Sequence, residues 1–149
     1  MPNTIESVYP GLRGTIVTAH VYESVPTNVT NAIPHANAWG VQLKWELSGP
    51  FAAFLDLLGG FNLVDWELTL HLESIGAGGE HDITITPAWA PVAGAFEWTQ
   101  NIPVAGNVVQ IDAYKPVVTA RLRLTPGGNV NPVGLPIYGF EELPMISIY

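Results

Sequence analysis

The chain has 149 residues, of which 12% are charged, thirteen acidic against five basic, for a formal net charge of −8. An average globular domain carries about twice that charged fraction. Lys44, Lys115, Arg13, Arg121 and Arg123 cannot build the basic stripe that nucleic acid or an anionic bilayer demands, so neither is an expected partner. The absence of cysteine excludes thiolate catalysis, cysteine-held zinc and iron–sulfur clusters.

Met1–Tyr9 has no basic n-region and no apolar h-segment, which points to a cytoplasmic protein, or a secreted one had a leader been removed. The longest apolar run, Pro50–Val64, is broken by Asp56 and by Gly59-Gly60 and is too short to span a bilayer, so no membrane insertion is expected. The length suits one domain that buries a sizeable core. Met1–Arg13 reads as a loosely held arm ending in the turn Pro10-Gly11, and Gly14–Tyr149 as a single domain.

Thr15–Tyr22 is rich in β-branched residues and reads as the first strand, with Val17 and Val21 marking its core face. Ser24–Ala38 carries no charge and is punctuated by Pro26, Asn28, Asn31, Pro34 and Asn37, the pattern of a long loop. Within it, Asn28-Val29-Thr30 fits the acceptor pattern for N-glycosylation, which matters only in a secretory compartment. Trp39–Leu47 alternates strictly, with Trp39, Val41, Leu43, Trp45 and Leu47 on the dry side. In Pro50–Leu58 the residues Phe51, Phe54, Leu55 and Leu58 fall on one helical stripe. Ser48 or Gly49 is placed to cap that helix and Gly59-Gly60 to stop it.

The clearest strand is Val64–Glu73. Val64, Trp66, Leu68, Leu70 and Leu72 alternate with Asp65, Glu67, Thr69, His71 and Glu73, giving one apolar and one polar face. A glycine-dense reversal, Ser74–Gly79, leads into a hairpin partner at His81–Thr86. Pro87–Pro103 is weakly charged, with a short edge strand expected at Ala95–Thr99. Two strands are expected at Val108–Ala113 and Val117–Thr125, a turn at Pro126–Asn129 and a loop at Val130–Pro136. The chain closes with strands at Ile137–Phe140 and Pro144–Tyr149.

Seven or eight strands with turn signals roughly every ten to fifteen residues, and one short helix near 50–58, predict an all-β antiparallel β-sandwich of immunoglobulin-like or C2-like type. Such an architecture does not itself assign a function.

No nucleophile elbow or other catalytic signature is present, and His20, His35, His71 and His81 are scattered, so a non-enzyme is expected. Asp65, Glu67, His71 and Glu73 project from one strand face, where alternate positions lie about 7 Å apart. Such an oxygen-rich set suits calcium, and the histidine shifts preference toward zinc or manganese. An ordinary solvated acidic face explains the same pattern, and no cofactor is required. Trp39, Trp45 and Trp66 read as core. Trp89 and Trp98 lie in the proline-rich segment and, with Tyr114, form the candidate surface for stacking on carbohydrate or anchoring a protein. At 48% hydrophobic residues and low charge, the chain is expected to cover apolar surface with a protein partner or further copies of itself. Neutral loops and sheet edges, above all Met145–Tyr149, are the expected contact points. The leading expectation is therefore a non-catalytic interaction and assembly module, with carbohydrate or calcium binding as alternatives.

Overall fold

A computed structural model describes residues 3–7, 9, 11–92, 95–125 and 132–149. Among these, ten strands and one helix follow the order β1 (Asn3–Ser7), β2 (Arg13–Glu23), β3 (Ala32–Ile33), β4 (Trp39–Ser48), α1 (Pro50–Gly60), β5 (Val64–Ser74), β6 (His81–Ile85), β7 (Glu97–Val104), β8 (Asp112–Leu124), β9 (Val133–Glu142) and β10 (Ile146–Ile148). The all-β expectation holds at that level, with ten strands in place of seven or eight. Among the described residues, no helix is long and apolar enough to cross a membrane.

Hydrogen bonding runs without interruption along β6–β5–β8–β9–β1–β2–β4–β7. The first strand makes this continuity possible. Asn3–Ile5 pair with β2, and Glu6 and Ser7 then pair with β9 on the opposite edge. The expected arm Met1–Arg13 therefore contains a working strand, with Ile5 buried. The pairing is not purely antiparallel, because β10 lies antiparallel to β8 but parallel to β3. The closing stretch Met145–Tyr149 is thus paired on both sides and is not the free edge expected.

The alternation of β4 and β5 is carried through fully. Trp39, Val41, Leu43, Trp45 and Leu47 are buried, as are Val64, Trp66, Leu68, Leu70 and Leu72. The sheet curls until β4 and β7 lie over β5, which brings Trp45 and Trp98 against Trp66 at ring distances of 5.4 and 5.2 Å. Trp45 and Trp98 stack at 5.8 Å and both meet Trp66 edge to face. Offset stacks and T-shaped contacts of this kind add roughly 0.5–1.5 kcal/mol per pair beyond area burial. No oxygen accepts the buried indole N–H groups of Trp45, Trp66 and Trp98 among the described residues. The edge-to-face packing offers ring faces as weak acceptors in their place.

Several local expectations are corrected, each for an identifiable reason. In β2 the register slips between Ile16 and Thr18, so the core face passes from Ile16 to Val21, and Val17 is only half-buried. A bulge inserts one residue and flips the alternation beyond it. Val108–Ala113 and Val117–Thr125 are not two strands, since β8 starts at Asp112 and runs through Pro116. That proline is tolerated because its carbonyl accepts Leu143 N–H where the chain crosses from β9 to β10. Its missing N–H would point the same way, toward a gap between two strands. The expected loop at Val130–Pro136 gives way to β9 from Val133 onward, with Pro136 exposed on that strand. The turn expected at Pro126–Asn129 lies outside the described residues. The edge strand β7 is longer than Ala95–Thr99 and pairs with β4 from Glu97 to Val104.

The helix extends to Gly60 and turns its buried face through Ala52, Leu55 and Gly59, leaving Phe54 half exposed. Gly49 occupies its N-cap without a side-chain hydrogen bond, and Pro50 supplies the first turn. Gly59 does not stop the helix but packs within its last turn against Trp89.

Candidate functional site

The polar face of β5 continues across three neighbours, so its residues form rows. Asp82, His71, Val117 and Glu142 share one row; Thr84, Thr69, Thr119 and Phe140 the next; Glu67, Arg121, Tyr138 and Glu6 a third. Asp65 and Arg123 start the fourth.

The two ends of this face differ. At the Asp65 end, the chain after β6 stays beside β5, with an Asp65–Ala88 bridge and a Trp66 N–H to Pro87 carbonyl bond of 3.1 Å. Asp65 is buried there in spite of its place on the polar side. Arg123 Nε and Nη2 donate to its two carboxylate oxygens at 2.8 and 2.6 Å, a bidentate pair. Glu67 Oε2 lies 3.6 Å from Arg123 and Glu67 Oε1 lies 3.7 Å from Arg121. The Asp65 bonds hold the Arg123 guanidinium above its ordinary pKa.

At the other end, His71 Nδ1 meets Asp82 Oδ1 at 2.8 Å and His71 Nε2 meets Thr119 Oγ1 at 3.3 Å. Thr69 and Thr84 hydroxyls bond at 2.9 Å. The carboxylate–imidazole–hydroxyl order resembles a hydrolase relay, but it lies flat on an open sheet. The β5 and β8 backbone around it is engaged in strand pairing.

Of the candidate metal set Asp65, Glu67, His71 and Glu73, the structure does not gather the four about one point. Asp65 and Glu67 face arginines, His71 faces Asp82 and Thr119, and Glu73 lies opposite Lys115. A cation at Asp65 would have to displace Arg123. Among the described residues, no group of three or more histidine and acidic side chains is spaced to hold an ion.

The three candidate stacking residues lie inside the molecule. Trp89 and Trp98 meet at 4.8 Å, and Trp89 lies parallel to Trp66 at 6.4 Å. Trp89 Nε1 donates to Asp56 Oδ1 of α1 at 2.8 Å. Tyr114 is fully buried, with its hydroxyl donating to the Gln110 carbonyl at 2.8 Å. Scarcity of charge in Pro87–Pro103 is the signal that this segment folds inward, since nothing nearby keeps its rings wet.

A second polar device was not visible in the sequence. Asp112 Oδ2 accepts Ser74 Oγ and Gly78 N–H, both at 2.6 Å, while Oδ1 accepts Ala113 N–H at 2.7 Å. The Ser74 bond first, then the Gly78 and Ala113 amides, hold its carboxyl below the usual carboxylate range. Because the folded-state pKa is lowered, the clamp on the Ser74–Gly79 reversal is fully present above the ordinary carboxylate range. It is lost as pH falls through the lowered value. Amide exchange at Gly78, corrected for intrinsic rate, is expected to accelerate in acid, and Asp112→Asn to accelerate it at neutral pH. Equal Gly78 protection in the variant would contradict the clamp.

Exposed apolar groups occur on β9, at Val133, Tyr138 and Phe140, and off the strands. Phe54, Leu57 and Phe61 stand on the outer side of α1 and just beyond it, at 50%, 57% and 69% exposure. Val25, Ile75, Val108 and Ile111 are exposed on connecting segments. Two open grooves also occur. One of about 380 Å³ lies between β2 and the approach to β10, lined by Ala19, Val21, Val29, Pro144 and Ile146 with His20, Thr30 and Asn31. The other, about 530 Å³, follows the outer strands β6 and β7 past Ile85, Pro87, Asn101 and Pro103. Comparison with protein-family models, with curated proteins and with solved structures finds no match to this chain.

Proposed function

We propose that the protein is a non-catalytic interaction and assembly module, a β-sandwich of immunoglobulin-like or C2-like type that works through protein–protein contacts. The observation that carries this reading is the placement of exposed apolar side chains on α1 and the connecting segments of a chain with so few charges. Exposed apolar side chains, where they gather into patches, mark interaction sites. The strands β6 and β7 each have one hydrogen-bonded neighbour among the described residues and offer edges for strand addition. Pro103 on β7 limits that addition to part of its length.

Sedimentation velocity from micromolar to millimolar concentration, together with affinity capture and a competition step using untagged protein, tests the reading. The expected result is either concentration-dependent self-association or a saturable partner displaced by untagged chain. A protein that stays monomeric throughout and retains no competed partner would overturn it.

A further inference from the structure

We infer that the groove between β6 and β7 is a docking site for an extended, uncharged peptide segment of a partner protein, laid along the free edge of β7. The inference rests on the assembly reading above and names its surface and the form its partner takes.

The free edge of β7 has a definite parity. The Phe96 carbonyl accepts Leu47 N–H of β4, whereas the Glu97 carbonyl accepts Val92 N–H at 2.9 Å on the opposite side. Backbone groups alternate in direction along an antiparallel strand. Thr99 and Asn101 therefore turn both N–H and C=O away from β4, and Pro103 turns its C=O the same way. A proline whose absent N–H would have faced the open side fits that parity. Among the described residues these groups have no backbone partner. The Gln100 side chain alone reaches the Asn101 carbonyl, at 3.4 Å.

The groove of about 530 Å³ runs along this open stretch, with Gln100, Asn101 and Pro103 on one side and Ile85 and Pro87 on the other. Tyr22 also lines it. Tyr22, Gly40 and Pro103 share one row, and a Cβ at Gly40 would overlap the Tyr22 hydroxyl, so the ring lies across Gly40 toward β7. Tyr22 is only 5% exposed, yet its hydroxyl has no hydrogen-bond partner among the described residues. Burial raises this phenol above its ordinary pKa, so at neutral pH it is a donor without an acceptor. Such a group costs stability until something in the groove supplies the acceptor.

The occupant follows from these walls. A row of free N–H and C=O groups at strand spacing pairs with an extended backbone. No lining side chain is charged, so a charge on the bound segment would find no counter-ion. A second copy does not fit the description. Every described strand of this chain is already paired, and its edges β6 and β7 each carry a sheet behind them. The volume is that of a ligand pocket and takes a few residues of one peptide, not the edge of a second sheet.

Selection of random short peptides from a displayed library on the full chain tests the inference. The expected result is a set of uncharged binders that slow amide exchange at Thr99 and Asn101 at least about tenfold. Tyr22→Phe keeps the ring and is expected to weaken these peptides about three- to tenfold, with the melting temperature unchanged or raised. Asn101→Pro deletes a free N–H without touching the pairing to β4 and is expected to weaken them as well. Circular dichroism confirms that both variants are folded. A library that yields no binder, or binders that leave Thr99 and Asn101 exchanging as before, overturns the groove. Equal affinity for the unmodified chain and both variants also overturns it. The assembly reading is untouched by any of these failures and is decided by the sedimentation and capture experiments above.

Discussion

Arg123→Ala is expected to destabilise the protein by about 3 kcal/mol, within the usual 3–5 kcal/mol for removing one partner of a buried ion pair. The side chains of Arg123 and Asp65 are 13% and 11% exposed, so the substitution would leave the buried Asp65 carboxylate oxygens without their donors. The loss corresponds to a fall in melting temperature of roughly 6–12 °C for a chain of this size. Arg121→Ala is the control. Its guanidinium is 45% exposed and lies 3.7 Å from Glu67, an arrangement worth under about 1 kcal/mol. Replacing the buried pair together, as Asp65→Leu with Arg123→Met, is expected to recover most of the loss, because no charge is then stranded. Urea denaturation of the four proteins decides the matter. If Arg123→Ala costs no more than Arg121→Ala, the pair does not anchor the β5–β8 register.

That pair also shows where sequence reading loses resolution. Alternation assigns Asp65 to the polar side of β5, and it is on that side; what alternation cannot show is that Arg123 of β8 closes on it and that Ala88 bridges beside it. The same holds for Trp89 and Trp98, whose burial depends on contacts with Asp56 and Trp66 far away in sequence. The strands β4 and β5 were legible because each has one dry face over many residues. In β2 a single bulge at Val17 was enough to exchange faces, and bulges leave no period behind. Proline misled twice for one reason. Pro116 and Pro136 read as breaks, yet Pro116 sits where β8 changes neighbours and Pro136 sits in the register shift of β9 between Gly134 and Tyr138. Both are positions where strand pairing does not need the missing donor.

The terminal strand illustrates the same dependence on partners. Its apolar character predicts a strand, and Ile146–Ile148 is one, held by β8 on one side and β3 on the other. The long neutral loop Ser24–Ala38 supplies β3, and the His35 N–H donates to the Tyr149 carbonyl at 2.6 Å. The strand's backbone and the side chains of Ile146 and Ile148 are therefore used within the fold, while Met145 and Tyr149 stay exposed, as do Phe54 and Leu57 on α1. On that helix, composition alone marked a single stripe through Phe51, Phe54, Leu55 and Leu58. Packing rotated it, because Gly59 rather than Phe54 meets the tryptophan cluster.

The two adjacent glycines of α1 are expected to respond to alanine with opposite signs. Alanine in a helix interior is favoured over glycine by roughly 0.5–1 kcal/mol, and part of that gain applies to Gly60, the last residue of α1, where an added Cβ meets nothing within 4 Å. At Gly59 the same atom would overlap Trp89 Cδ1 and Cγ. The indole must then shift, weakening its 2.8 Å bond to Asp56 and its contacts with Trp66 and Trp98. Overpacking of a filled site costs typically 1–3 kcal/mol, and the lost hydrogen bond adds about 1 kcal/mol. Gly59→Ala is therefore expected to be destabilising by about 2–3 kcal/mol after the helix gain is subtracted. Tryptophan fluorescence of the folded variant should change as Trp89 leaves the cluster, whereas Gly60→Ala should leave the spectrum as it is and raise the urea midpoint. Adding Trp89→Leu to Gly59→Ala separates clash from propensity: the alanine cost measured in the leucine background should shrink or reverse sign. An undiminished cost there would place the strain in the helix backbone and not against the Trp89 ring.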